Sequence, residues 1–377
     1  MKIMKLTKLV AFFIIISQYV NAQTEYSNID INVTDSLEKI VETKRFKNWK
    51  EVLADSTLKD KNYHFIIRDK KGNVVKPKLE NRIIRSISKN PRIENILFAG
   101  LKGNNPGDGK AAMSMDYGYS WTYLNQGKPL SKETEDIQTI ESSPLDKNLI
   151  YAGTWKNGLF KSTDSGNSFL KMENFPSKDV RAIIYHPKNR NHILVATTSH
   201  GIVETQNNGE TWEVKGADYL KSNFVSLWNL VQSPYNPNVM YALCIGQGLQ
   251  KSEDFGKTWK KIIDEPKMLF FGFGFVDENE IWCSSTNFNS GKLYHSKDSG
   301  NSFELRENLV DDIIGSFVSI SNTETQIYLG GQKGLYELSN NKIQNSKIAL
   351  PFYEISNLLE VNNKLLIATW GNGLLIK

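Results

Sequence analysis

Hydrophobic and polar positions recur in a fixed order along most of the chain. In one repeat, the run VRAIIYHP (180–187) leads into a turn rich in Pro, Asn and Lys, and HILVATT (192–198) follows it. A short loop then ends at Gly201, the run GIVET (201–205) comes next, and WEVK (212–215) closes the repeat. Short runs of β-branched and aromatic residues between turn residues are typical of strands. The pattern predicts four short strands in each repeat.

A polar motif precedes the last strand of five repeats. It reads Ser/Thr-x-Asp-x-Gly-x-Ser/Thr-Trp/Phe, with Asn in place of Asp once, and we call each copy a turn motif. The copies begin at Ser114, Ser162, Thr205, Ser252 and Ser296, which are 48, 43, 47 and 44 residues apart. Repeats of this period indicate a propeller or a solenoid, and four strands per repeat favour a propeller blade.

The composition of the turn motif indicates a structural role. Its Gly can adopt a positive φ, its carboxylate or amide oxygen can accept backbone N–H groups, and its hydroxyl can close the turn. A single catalytic site could not use five near-identical acids spaced around a ring. We therefore predict that five residues stabilise turns: Asp116, Asp164, Asn207, Asp254 and Asp298.

The turn motifs resemble the Asp-box, or BNR repeat. This repeat occurs in sialidases, sortilin-type receptors, xyloglucan-degrading glycoside hydrolases and propellers similar to photosystem II assembly factors. The resemblance covers residues 80 to 377 and implies an all-β fold, a seven-bladed β-propeller of four-stranded blades. It leaves activity open, because enzymes and non-enzymes share the repeat.

The last two predicted blades lack the motif, and the seventh lacks a strand. Its runs are ISNLLEV, LLIATW and GLLIK, and we expect an N-terminal strand to close it. Trp49 to Leu53 is the candidate, since NWKEVLAD resembles the segments TWEVKGAD and TWKKIIDE. The alternative is a helix, because Leu37, Ile40 and Val41, followed by Trp49, Val52 and Leu53, also fit helical spacing. A hairpin turning at residues 71–73 is predicted next, so residues 23–80 form an N-terminal segment and 81–377 the propeller.

The first 22 residues are typical of an export signal. Lys2, Lys5 and Lys8 precede the apolar run 9–16, and Val20-Asn21-Ala22 fits a cleavage site. That run is too short to span a bilayer as a helix. We predict an exported protein, periplasmic or secreted, with no membrane span.

Charge and cysteine content narrow the function classes. The formal net charge is +5, and it falls to +2 without the three signal lysines, which gives no support for nucleic-acid binding.

Two cysteines, Cys244 and Cys283, do not make a disulfide scaffold, and their predicted positions on neighbouring blades are too far apart for a bond. The five histidines fit no common ligand spacing, so we expect no metal and no cofactor. We expect a monomer.

Loops between second and third strands share one face of a propeller, and in the families resembled this face carries ligand sites. Trp155 and Trp370 occupy equivalent loop positions in blades two and seven, on either side of blade one. They could stack on sugar rings or anchor a protein, or each could cover its own blade tip. His200 on a third such loop and Arg181 near the same end complete the predicted binding residues.

Acidic residues also fall at the starts of the predicted inner strands. A pair of them could act in glycoside hydrolysis, or each could be a solvated turn residue. The weak catalytic candidates are Asp136, Asp179, Asp311, Asp312 and Glu354.

Sialidase activity is not expected. The chain lacks the Phe/Tyr-Arg-Ile-Pro motif that sialidases show before the first repeat, and only Arg82, Arg85 and Arg181 lie near the relevant end. Two-domain xyloglucan hydrolases need about twice this length. The sequence favours a non-catalytic propeller that binds a protein or glycan partner, with a glycoside hydrolase or polysaccharide lyase as the alternative.

Overall fold

The computed structural model describes residues 26–34, 40–46, 62–69, 79, 82–215, 226–288, 290–306, 312–321, 325–339, 342–346, 354–371 and 373–376. Three predictions fall outside these residues: the export signal at 1–22, the closing strand at 49–53 and the turn at 71–73. The chain divides into two compact units, residues 1–77 and 78–377. No helix among the described residues is long and apolar enough to cross a membrane.

The described part of the first unit is a three-stranded antiparallel sheet. Its strands are β1 (Tyr26–Thr34), β2 (Ile40–Phe46) and β3 (Asn62–Asp69), in the order β2-β1-β3. The helical alternative is wrong for residues 40–46, because Ile40 and Val41 lie in a strand that pairs with β1. The segment predicted as the first arm of a hairpin, His64–Asp69, belongs to β3 and pairs with β1 as well.

The second unit consists of seven antiparallel sheets, one for each predicted blade. Blades one to three contain β4 (Ile83–Lys89), β5 (Leu97–Lys102), β6 (Lys110–Ser114) and β7 (Thr122–Tyr123); β8 (Ile137–Ser142), β9 (Ile150–Thr154), β10 (Leu159–Ser162) and β11 (Leu170–Lys171); and β12 (Ala182–Tyr185), β13 (Ile193–Thr197), β14 (Gly201–Thr205) and β15 (Glu213–Val214). A 3-10 turn, Asn125–Gly127, follows β7.

Blades four to seven follow in the same order. They contain β16 (Leu227–Gln232), β17 (Met240–Cys244), β18 (Leu249–Ser252) and β19 (Lys260–Ile263); β20 (Leu269–Phe275), β21 (Ile281–Thr286), β22 (Gly291–Ser296) and β23 (Glu304–Arg306); β24 (Ile314–Ser321), β25 (Thr325–Gly331), β26 (Leu335–Ser339) and β27 (Lys342–Asn345); and β28 (Ile355–Val361), β29 (Lys364–Thr369) and β30 (Leu374–Ile376). The seven-bladed all-β propeller is confirmed, with three described strands in blade seven.

Close contact between neighbouring blades explains the composition of the second strands. These strands are buried along their length in blades two to five, because a blade packs on each side of them. A small residue near the end of the strand receives an apolar side chain from the next blade. A Cβ added at Gly153 would lie 2.2 Å from Val180, and one at Gly330 would lie 2.5 Å from Ile355. Larger residues at these glycines would separate the blades.

The ring closes between blades seven and one. Ile83 bridges to Trp370, and the Lys89 ammonium lies 2.9 Å from the Glu360 carboxylate. Ile84 and Ile87 of β4 share one buried cluster with Leu366 of β29. This junction closes the ring, so the side chains of blade seven lie next to those of blade one around the axis.

Antiparallel strands give the ring two distinct ends. The inner strands begin at one end, which also carries the loops between second and third strands, and we call it the mouth end. The turn motifs and the turns between inner and second strands lie at the other end, the motif end.

Candidate functional site

A bulge near the start of the inner strand, present in six of the seven blades, forms the central feature of the mouth end. The pairing of inner and second strands shifts register there in six blades, at Ile84/Ser86, Ile137/Thr139, Leu227/Asn229, Phe270/Phe273, Ile314/Ser316 and Ile355/Asn357. In blade three, Arg181 holds the corresponding place just before β12. A bulge turns its extra residue out of the ladder and re-aims the side chain.

The bulge residues line one cavity of about 280 Å³ along the propeller axis. We call this set the bulge ring: Arg85, Gln138, Arg181, Trp228, Phe271, Gly315 and Ser356. Each blade contributes one member. Deeper in the same cavity the walls include Ile87, Ile184, Leu230 and the side chain of Glu141. Burial raises the pKa of Glu141 to about 8.

Arg181 is held between two indole rings. Its guanidinium carbon lies 4.4 Å from the centroid of Trp155 and 4.2 Å from that of Trp228. Its Nη1 donates a hydrogen bond of 2.9 Å to Oε1 of Gln138. Burial lowers the pKa of Arg181 to about 10, Arg85 lowers it further, and Asp179 and Asp136 oppose the shift. The arrangement fixes a desolvated cation at the mouth.

Arg85 connects three blades at the same end. Its Nε donates a hydrogen bond of 3.0 Å to Oδ1 of Asp136, and its guanidinium carbon lies 4.5 Å from the centroid of Trp370. The Lys102 ammonium is 5.7 Å from the same ring. Trp155 and Trp370 are therefore both cation partners, and each indole ring has a guanidinium over it.

Most of the predicted acids have structural partners. Asp136 is buried and paired with Arg85, and Asp179 accepts a hydrogen bond from the Thr198 hydroxyl. Asp312 is buried and accepts hydrogen bonds from the Tyr336 hydroxyl at 2.9 Å and from two backbone N–H groups. Asp311 lies outside the described residues. These contacts hold loops rather than aim carboxylates at a substrate.

Glu354 differs from the other acids. It lines the axial cavity and is half-buried, and no hydrogen bond to its carboxyl group is found within the described part of the chain. Burial raises its pKa; Arg85 lowers it and Asp312 raises it. Of the four described candidates, it alone lines the axial cavity.

His200 lies at the tip of the loop between β13 and β14. Its Nδ1 is 2.9 Å from the Ser199 hydroxyl, which is itself 2.8 Å from the Ser177 hydroxyl. None of the contacts described for His200 reaches Arg181. Among the described residues there is also no group of three or more His, Cys, Asp or Glu side chains that could hold a metal ion.

Sequence reasoning missed Trp228, Gln138 and Glu141. All three lie in segments that the apolar pattern assigns simply to inner strands. A usable signal was present, because each member of the bulge ring directly follows a buried apolar residue, namely Ile84, Ile137, Val180, Leu227, Phe270, Ile314 or Ile355. Aligning Trp228 with Arg181 at that position would have placed both at the mouth.

The turn motifs lie at the opposite end and share one hydrogen-bond pattern. In blade two, Ser162 Oγ donates to Asp164 Oδ1 at 2.8 Å and accepts the Gly166 N–H at 2.8 Å, while Ser168 donates to the carboxylate through both its N–H and its hydroxyl. Asn207 takes the same place, but its Nδ2 donates to Thr211 Oγ1. The five glycines have φ between +72° and +94°. The residue before each glycine is also left-handed, with φ between +56° and +61°.

Comparisons with known proteins give a fold but no family. No protein-family model matches the chain, and no curated protein matches it. Among solved structures, the chain is similar to an ancestral GH74 enzyme, with a TM-score of 0.59 and 16% identity over 79% of this chain and 45% of that one. These similarities establish the β-propeller fold. The chain spans less than half of the GH74 enzyme's length.

Two further solved structures match this chain, and the chain covers a different share of each. YCF48 bound to D1 peptide matches with a TM-score of 0.57 and 17% identity, over 79% of this chain and 93% of that one. The extracellular domain of a one-component system from B. thetaiotaomicron matches with a TM-score of 0.59 and 15% identity, over 78% of this chain and 38% of that one. The similar proteins thus include an enzyme, a protein bound to a peptide and an extracellular domain of a one-component system.

Proposed function

We propose that this chain is an exported, non-catalytic propeller that binds a protein partner at its mouth end. The observation that carries the proposal is the pre-positioned pairing of Arg181 with Trp155 and Trp228, and of Arg85 with Trp370. Arg and Trp dominate the energetics of protein interfaces, and rigid side chains lose little entropy on binding. The likeness to a peptide-bound propeller of nearly the same extent supports this choice.

Exposed apolar side chains surround the mouth. Phe288 is 74% exposed, and Ile245 and Trp370 are each 37% exposed, on mouth-end loops of blades five, four and seven. Aliphatic and aromatic groups around a charged centre suit the side chains of a protein. A glycan needs free ring faces for stacking, whereas guanidinium groups lie over Trp155 and Trp370 here.

Export is part of the proposal. It is supported by the signal-like first 22 residues and by the likeness to an extracellular sensor domain. We also assign the turn motifs to the Asp-box class, since their Ser, Asp and Gly residues share one hydrogen-bond pattern at five places.

Site-specific photo-crosslinking in cells tests the proposal. A photoreactive phenylalanine analogue replaces Phe288 in one variant and Tyr235, which is exposed at the motif end, in a matched control. We expect a discrete protein adduct from position 288 and none from 235. Equal adducts from both positions, or none from 288, would overturn the proposal, and specific binding on a glycan array instead would favour a glycan ligand.

A glycoside hydrolase or polysaccharide lyase is the second candidate. Glu354, with its raised pKa and its place in the cavity, is the observation that favours it. A general acid needs a carboxyl group that is protonated near neutral pH. Release of reducing sugar from a polysaccharide, abolished by Glu354→Gln, would establish the enzyme; we expect no release.

A further inference from the structure

Three buried polar atoms of the bulge ring have no hydrogen-bond partner among the described residues. They are Nε2 of Gln138, Nε of Arg181 and Oγ of Ser356. The orientation of the Gln138 amide is fixed, because its Oε1 accepts the bond from Arg181 Nη1. Its Nε2 must therefore act as a donor in another direction. Leaving a buried donor without an acceptor is unfavourable, so these atoms require an acceptor in the cavity.

The chemistry of these atoms specifies an acceptor. An amide nitrogen and a guanidinium nitrogen can only donate, and a serine hydroxyl can donate as well. A carboxylate offers about four acceptor positions on two oxygens and carries the charge that a guanidinium prefers. A neutral carbonyl offers fewer acceptor positions and no charge.

The charge around Arg181 points in the same direction. No ion pair is formed by Arg181 within the described residues, whereas the nearby Asp136 pairs with Arg85. Asp179, the other adjacent acid, is bound by the Thr198 hydroxyl. Burial and the neighbouring Arg85 both lower the pKa of Arg181, which means that its positive charge is under-compensated. An anion next to it would remove that cost.

The cavity limits the size and shape of the anion. Its volume is about 280 Å³; Arg181, Gln138 and Ser356 lie at the mouth, and Ile87, Ile184 and Leu230 line the deeper part with Glu141, whose pKa burial raises to about 8. Ile184 is three residues along the inner strand from Arg181, or about 10 Å at the usual rise of a strand. A small aliphatic carboxylate matches this division into a polar end and an apolar end.

We propose that the axial cavity binds a small aliphatic carboxylate, with its oxygens at Arg181, Gln138 and Ser356 and its tail among the deeper apolar residues. Such a ligand lies on the propeller axis, inside the loops that would meet a protein partner. The site shares Arg181 with the proposed partner surface, but its test uses no partner protein, so failure of the carboxylate site and failure of partner binding are distinguishable.

Calorimetric titration with sodium butyrate tests this site. Butyramide has the same shape without the charge, and sodium chloride at equal ionic strength controls for screening. We expect saturable binding of butyrate and binding of butyramide weaker by about tenfold or more, the usual effect of losing charge-assisted hydrogen bonds. If butyrate binding does not saturate at concentrations up to about 50 mM, the proposal is overturned.

Two arginine variants locate the site. Arg181→Gln should weaken butyrate binding by about tenfold or more, because it removes the charged donor. Arg190→Gln changes an exposed arginine of the same blade at the motif end and should bind as the wild type does. Near-ultraviolet circular dichroism shows whether Arg181→Gln folds. If it does not, the affinity of Gln138→Met for butyrate is measured instead. An unchanged affinity in that variant contradicts the assignment of the site. Binding of inorganic phosphate but not butyrate would mean that the carboxylate class is wrong.

Discussion

Nε of Arg85 donates a hydrogen bond of 3.0 Å to Oδ1 of Asp136, and this pair joins the inner strands of blades one and two at the channel mouth. Asp136 is buried, while Arg85 is half-buried against Trp370. A carboxylate placed this way orients the arginine. The pair therefore connects the stability of the ring with the geometry of its binding face.

Replacing Asp136 should destabilise the propeller. Asp136→Asn leaves the Arg85 guanidinium partly buried with a weaker acceptor, and we expect a loss of about 1.5–3 kcal/mol in the free energy of unfolding. Urea unfolding at neutral pH measures it. Glu133→Gln, at an exposed residue of the same interblade segment, should stay within about 0.5 kcal/mol of the wild type. Equal stability of the two variants would mean that the ion pair does not contribute.

The turn motifs should make stability depend on pH in the acid range. Hydrogen bonds from the Ser302 side chain and backbone, and from Ser296, lower the pKa of Asp298 to about 2. Because this folded-state pKa lies below the unfolded value, the stabilisation is present above about pH 4 and is lost as the pH falls towards 2. Asp298→Asn copies the non-titrating Asn207 and should make the midpoint of thermal unfolding less dependent on pH between 4 and 2. An unchanged pH profile would contradict the role of this carboxylate.

The turn that follows His186 predicts a second effect of pH on stability, nearer neutral pH. Nδ1 of His186 accepts hydrogen bonds of 3.1 Å from the N–H groups of Lys188 and Asn189, a role that Oδ1 of Asn90 has in blade one. Burial lowers the pKa of His186, and His192, Lys257 and Lys188 lower it further. Nδ1 can accept these bonds only when it is unprotonated.

Stability from this turn is complete above the unfolded-state pKa of about 6.5 and is lost as the pH falls through the lower folded-state value. His186→Asn keeps the acceptor and removes the titration. Chemical denaturation at pH 5 and pH 7.5 should show a smaller difference for the variant than for the wild type. A difference of the same size would assign the pH effect to groups other than His186.

The two cysteines should be free and slow to react. Cys244 packs with Leu194 of blade three, and Cys283 packs with Tyr241 of blade four, so the sheet of blade four lies between the two thiols. Burial raises the pKa of Cys244 to about 12 and that of Cys283 well above its ordinary value. Mass spectrometry after alkylation should find both labelled in denaturant without reductant and neither labelled in the folded protein. A mass 2 Da lower, with no label, would contradict the blade register.

The fold could be predicted from the sequence because its determinants are local. Each turn motif bonds within seven residues, from Ser162 to Ser168 in blade two, and each second strand contains a short apolar run, such as residues 150–153 in blade two. The offset of two positions between Cys244 and Cys283 also followed from aligning blades, since Ala242 and Cys283 occupy equivalent places.

The site could be predicted only in part. Arg181, Trp155 and Trp370 were found because loop position alone brings them to the mouth end. Their partners were not, because the directions of Trp228 and Gln138 depend on the bulge in the pairing with the second strand, which one strand's sequence does not reveal. Arg85 and Asp136 belong to neighbouring blades. The distance between their side chains therefore depends on the rotation of one blade relative to the next, which the sequence does not show.

The central claim is that the mouth end binds a protein partner, and the affinity of the partner identified by crosslinking tests it most directly. We expect the double variant Phe288→Ala/Trp370→Ala to raise the dissociation constant by about thirtyfold or more, as loss of interface anchors does. The matched variant Tyr235→Ala/Leu145→Ala, at exposed residues of the motif end, should bind as the wild type does. Unchanged affinity in the first variant, or an equal loss in the second, would contradict the account.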